Sequence, residues 1–227
     1  MESDYLIQNA ARTIISFNDS YAKNKQGKQN EQQKSDSMPS LTEISSTLEY
    51  LRNQIQDDNT LKSVIRIPKL LQSFSALSLY KICCHLSEDI DQQRLEVRHI
   101  SRDCLGEIRY NGDEQIQTEL VNQRFGRVMT ISISTAGGNG EEQDKEIRNG
   151  LFYIYYFLRD IHEGRTNRQS SFQPLPLLVR STKEQIEEEG ANEEIETQMK
   201  NNGFNGNIMI WANEAKAVIL NRFIRRG

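Results

Sequence analysis

Apolar residues recur along this chain at helical spacing, and three stretches share one arrangement. Val97, Ser101, Cys104 and Ile108 form the first set, Ile147, Leu151, Ile154 and Leu158 the second, and Ile208, Ala212, Ala215 and Ile219 the third. Each set steps by four, three and four residues, which at roughly 100° per residue returns to one face of a helix. The first two share flanks as well, Glu96-Val97-Arg98 and Glu146-Ile147-Arg148. Helices of one pattern recurring along a chain point to stacked units, each burying a stripe on its neighbours.

Other segments extend the pattern. Leu6, Ile7, Ala10, Ala11, Ile14 and Ile15 predict a short N-terminal helix within residues 1–17. Residues 18–40 are rich in Asn, Gln, Lys, Ser and Asp and poor in aliphatics, so a disordered linker is expected. Ser40 with Glu43 reads as a capping box opening a helix whose stripe is Leu41, Ile44, Leu48, Leu51 and Ile55. Asp57-Asp58-Asn59 marks a turn or cap, and Leu70, Leu71, Phe74, Leu77 and Ile82 carry a helix begun near Pro68. Further helices are expected over 92–108, 144–161, 175–189, 191–200 and 208–225, with Gly190 dividing the fourth from the third. Residues 109–145 read as an irregular insertion, in which Ile116, Leu120 and Val121 suggest a short helix. The insertion's β-rich run Arg127–Ser134 fits a strand or a helix that overrides its own propensity.

The last fifty residues carry a family resemblance. Ile186-Glu-Glu-Glu-Gly190-Ala191-Asn-Glu-Glu-Ile195-Glu-Thr-Gln-Met199, followed by Asn207-Ile208-Met-Ile-Trp211-Ala212-Asn-Glu-Ala215-Lys-Ala-Val-Ile219, resembles the end of an armadillo-repeat array as in the importin alpha family. Ile67-Pro68-Lys69-Leu70-Leu71 is similar to the start of an armadillo helix, and Glu96 to Ile108 to its alanine-bearing helix. The resemblance implies an all-α, right-handed solenoid over 41–227 that binds proteins on a concave face. The importin ladder sets an Asn four residues after its Trp. Here Ala215 stands four after Trp211, so nuclear-signal recognition does not carry over.

Composition narrows the function classes. A net charge of -4 disfavours general nucleic-acid binding. The mean hydropathy of -0.69 suits a thin array with much surface. Acidic and basic residues are interspersed, the pattern of solvated helix faces. No run of apolar residues is long enough to span a membrane, and no secretory signal opens the chain. Three cysteines without an export signal suit reduced thiols and a cytoplasmic or nuclear location.

Candidate chemistry is sparse. Cys83, Cys84, His85, His99 and Cys104 lack a C-x2-C pair and read as core thiols and surface histidines rather than metal ligands. Cys104 with His99 or His162 lacks a nucleophile motif. The glycine loop 136–140 lacks the ending of a phosphate-binding loop. Glu187, Glu188, Glu189, Glu193, Glu194 and Glu196 read as solvated helix ends, and Arg222, Arg225 and Arg226 as helix C-terminal charges. No catalytic, cofactor or metal site is expected. The row Phe152, Tyr153, Tyr155, Tyr156 and Phe157 surrounds its helix, and Tyr153, Tyr156 and Trp211 are the first candidates for a surface that holds another protein or peptide. The sequence therefore predicts a non-enzymatic helical scaffold. A second reading is a compact α or α+β factor, viral or regulatory, with a strand at 127–134 and nucleic acid at its C-terminal arginines.

Overall fold

The computed structural model describes residues 2–26, 39–82, 84, 86–134, 143–166 and 170–220. Its described residues form eleven helices and no strand; one isolated antiparallel bridge pairs Arg165 with Phe172. The fold is all-α. Residues 127–134, whose composition fits a strand or a helix, are helical. The chain divides into two compact units, residues 1–108 and 109–227.

In the first unit, α1 (Glu2–Gln26) packs on α2 (Leu41–Gln56), α3 (Asp58–Ile65) and α4 (Leu70–Leu77). Ile7, Ala11, Ile14 and Phe17 of α1 and Ile44, Leu48, Leu51 and Ile55 of α2 are buried. Burying such side chains stabilises by about 1.5–3 kcal/mol each relative to exposure. The expected capping box at α2 is formed: Glu43 N–H donates to Ser40 Oγ at 3.2 Å and Ser40 N–H to Glu43 Oε2 at 2.7 Å. Asp57 caps α3 through Asn59 N–H at 2.9 Å.

The helix expected to end at residue 17 continues to Gln26, so residues 18–26 are not linker. Tertiary contact extends it: Phe17 and Tyr21 rings lie 5.5 and 4.9 Å from that of Tyr80, and Lys69 Nζ lies 3.8 Å from Asp19. Residues 27–38 of the expected linker lie outside the described residues.

Helix α5 (Glu88–Asn111) begins in the first unit and ends in the second. Its expected seam, Val97, Ser101, Cys104 and Ile108, is fully buried. A second stripe on α5 is not the solvated face that interspersed charges predict. Arg94, Arg98 and Arg102 are buried, at 7%, 3% and 2% exposure. Arg94 Nη1 donates to Cys84 O at 2.7 Å, Arg98 Nη1 to Tyr80 O at 3.2 Å and Arg102 Nη2 to Ser78 O at 2.9 Å. Ser78 is the C-cap of α4, so this ladder meets carbonyls at and beyond that helix's negative end.

The second unit holds α6 (Glu114–Asn122), α7 (Phe125–Ser134), α8 (Asp144–Glu163), α9 (Pro176–Glu188), α10 (Ala191–Gln198) and α11 (Asn207–Ile219). Within the expected insertion at 109–145, α6 is the short helix that Ile116, Leu120 and Val121 suggest, and α7 is a second helix. Helix α8 is central, packed on α7, α9 and α11, while α10 packs on α7, α9 and α11. Gly150 sets the approach of α7 to α8. A Cβ there would lie 2.5 Å from Ser132 Oγ and 2.7 Å from Ile133 Cγ2. Gly190, with φ 69°, turns the chain from α9 into α10 as the sequence predicts. Both remaining seams, on α8 and α11, are buried at every position.

Candidate functional site

Helix α8 has two unlike sides. Ile147, Leu151, Ile154, Phe157, Leu158 and Ile161 are buried, and Phe157 meets Phe125 at 4.7 Å. Arg148, Phe152, Tyr155, Tyr156 and Arg159 stay half-buried. They fall at steps of four, three, one and three residues, within about 100° of arc. The aromatic row is thus split, with Phe157 inside and the others outside.

Trp211 of α11 closes this second side. Its ring lies 5.0 Å from Phe152 and 5.6 Å from both Tyr155 and Tyr156. Tyr153 joins through Phe152 at 5.6 Å. The three candidate residues, Tyr153, Tyr156 and Trp211, therefore belong to one cluster. Sequence reasoning missed its two arginines. The Arg148 guanidinium carbon lies 5.1 Å from the Phe152 centroid and 6.0 Å from that of Trp211. Arg159 lies 4.5 Å from Tyr156 and 5.5 Å from Tyr155. Their spacing from the aromatic row was legible as one helical stripe.

Beneath the cluster lies a buried ionic group. Asp160, 4% exposed, accepts from Arg109 Nη1 at 3.0 Å. Arg159 Nη2 stands 3.4 Å and Arg165 Nη1 3.9 Å from the same carboxylate. Arg165 also donates to Arg109 O at 3.3 Å, to Tyr110 O at 2.5 Å and to Gly112 O, capping the end of α5. Gln117 Nε2 donates to Arg109 O and Gly112 O at 3.0 and 2.9 Å. Burial pulls the Arg159 guanidinium down, but its hydrogen bond with Tyr155 and the Asp160 charge outweigh this and hold its pKa above the ordinary value. The cation is therefore fixed.

The remaining candidates do not converge. Among the described residues no group of three or more His, Cys, Asp or Glu is placed to hold a metal. His99 Nε2 lies 3.4 Å from Asp103, and Cys104 Sγ lies 3.8 Å from Leu48 O. The glutamates of 187–196 are divided: Glu189 meets Arg127 at 2.6 Å, Glu194 accepts from Gln198 at 2.9 Å and Glu196 from Lys216 at 2.8 Å. Cys83, His85, loop 136–140, Arg222, Arg225 and Arg226 lie outside the described residues. No described helix is long and apolar enough to cross a membrane.

Burial, with the Asp103 charge second, pushes the Cys104 thiol far above the ordinary thiol range. Iodoacetamide at pH 8 is expected to alkylate the exposed Cys84 and spare Cys104, read by peptide mass mapping. The raised value also sets a pH dependence. Above about pH 8.5 an unfolded thiol loses its proton while the buried one keeps it, so stability falls by up to about 1.4 kcal/mol per pH unit. The Cys104→Ala chain is expected to lose less stability than the parent between pH 8 and 10 in urea titrations. Equal losses would count against the buried thiol.

No protein-family model matches the chain, and no curated protein matches it.

Proposed function

We propose that the chain is a non-enzymatic helical scaffold that binds another protein or peptide through the aromatic face of its second unit. The carrying observation is the half-buried cluster of Phe152, Tyr155, Tyr156 and Trp211 with a guanidinium at either end. Tyrosine, tryptophan and arginine are the side chains that most often dominate binding energy at interfaces. Supporting a non-catalytic role, the one nucleophile candidate that is described, Cys104, is buried and held protonated. Armadillo-type stacking belongs to the same reading, supported by the buried seams and the left-handed Gly190 between α9 and α10. The free thiols Cys84 and Cys104 support a reducing compartment, cytoplasmic or nuclear.

The test compares proteins captured by the parent chain and by a Tyr156→Ala/Trp211→Ala chain, quantified by mass spectrometry. Truncating hot-spot rings costs about 2 kcal/mol or more each, so specific partners are expected to fall at least about thirty-fold. Helix content must be retained by circular dichroism. Recovery of the same partners at the same yield would overturn the reading.

A further inference from the structure

We infer that the stripe Arg148–Phe152–Tyr155–Tyr156–Arg159, with Trp211 at its centre, takes an acidic peptide segment of a partner protein: one carboxylate at each end, apolar residues between. The inference rests on the docking reading above and names its partner chemistry.

Charge is the first argument. The six side chains carry two guanidiniums and no carboxylate, in a chain whose net charge is -4. Arg148 Nη1 donates to the neutral Asn149 Oδ1 at 2.9 Å, and no described carboxylate lies within ion-pairing distance of it. Arg159 meets Asp160, but that carboxylate is divided among three guanidiniums. Both end positions therefore present positive charge that the fold leaves poorly neutralised. A guanidinium seated on ring faces is partly desolvated and already oriented, so it binds a carboxylate with little further ordering cost.

Spacing is the second argument. Eleven residues of helix separate Arg148 from Arg159, about 16 Å. An extended peptide covers that distance in about five residues. The ligand thus carries acids at positions i and i+5, with apolar side chains between them meeting the rings.

The same residue types also occur on single-stranded RNA platforms, where bases stack on open ring faces. Here the rings tilt against one another by 46° to 78° across the Trp211 contacts, and guanidiniums lie over Phe152, Tyr155 and Tyr156. Those occupied faces favour a peptide over a base.

Trp211 is the sole tryptophan of the chain, so its fluorescence reads the site directly. Three acetylated, amidated hexapeptides serve as probes, EGFLGE, QGFLGQ and KGFLGK, together with oligouridylate. The expected result is a Trp211 response to EGFLGE at about ten-fold lower concentration than to QGFLGQ, none to KGFLGK, and weakening with salt. Arg148→Gln and Arg159→Gln each reduce EGFLGE affinity about ten-fold. The Arg148→Glu/Arg159→Glu chain, with helicity retained, moves the preference to KGFLGK, a gain that loss of folding does not produce. Equal affinity for EGFLGE and QGFLGQ overturns the acidic assignment and leaves the docking reading standing. Silence of Trp211 toward all three peptides overturns it whatever the capture experiment shows. Tighter binding of oligouridylate, or self-association abolished by the double reversal, also overturns it by assigning the face to RNA or to a second copy.

Discussion

Asp160→Asn is expected to destabilise the second unit by about 3–5 kcal/mol. Asparagine fills the same space but leaves Arg109 and Arg165, both under 7% exposed, without the carboxylate they share. Removing one member of a buried ionic group costs far more than the group's net worth, because the survivors remain desolvated. Arg165 also holds the carbonyls of Arg109, Tyr110 and Gly112, so its displacement weakens the capping of α5 that it shares with Gln117. Trp211 lies in the same unit and reports its unfolding. A melting temperature lowered by roughly 10–20 °C is expected, and a drop under about 2 °C would show the group to be dispensable.

Ala212→Phe is expected to cost about 3 kcal/mol or more, by overpacking. Ala212 and Ala215 are both fully buried on α11, the helix that packs on α8 and α10. A ring at either position finds no space unless α11 moves away from its neighbours. Asn213→Phe, on the exposed side of the same helix, changes stability by no more than about 0.5 kcal/mol. Urea unfolding followed by circular dichroism separates the two variants. An unchanged midpoint for Ala212→Phe would mean that α11 is not closely packed.

Much of the helical framework was legible because helical period and caps are local signals. All twelve positions of the three matching sets are buried. Ser40 and Glu43 cap α2 as their spacing implies, and Gly190 takes the left-handed turn. Helix α7 was ambiguous for a physical reason. Its β-branched residues favour strands, yet Phe125, Val128, Met129 and Ile133 are all buried, and tertiary packing outweighs propensity. Thr130 and Ser134 hydroxyls donate back to Gly126 O and Thr130 O at 3.0 Å each, which satisfies them inside the helix.

The buried arginines were not legible. Arg94, Arg98, Arg102, Arg109 and Arg165 look like solvent-facing charges in a mixed sequence. Their burial depends on where the carbonyls at and beyond the ends of α4 and α5 and the Asp160 carboxylate fall, which no local pattern records. The aromatic site was half legible. Residue type alone marks Tyr153, Tyr156 and Trp211 as interface candidates. The flanking Arg148 and Arg159 carry no such mark, since a charged residue on a helix reads as solvent-facing.

The ladder on α5 bears on how this chain can change over time. Each of its three guanidiniums reaches a main-chain oxygen, and main-chain oxygens survive any substitution on the residues that own them. The ladder thus constrains the side chains at 94, 98 and 102 and not those at 78, 80 and 84, of which Tyr80 is held instead by its contacts with Phe17 and Tyr21. Lysine is a poor replacement, since it offers a point charge where a planar fork is seated. A descendant that kept this architecture would carry arginines four apart, twice over, with a fourth seven residues later at 109, a fingerprint that outlasts overall sequence likeness.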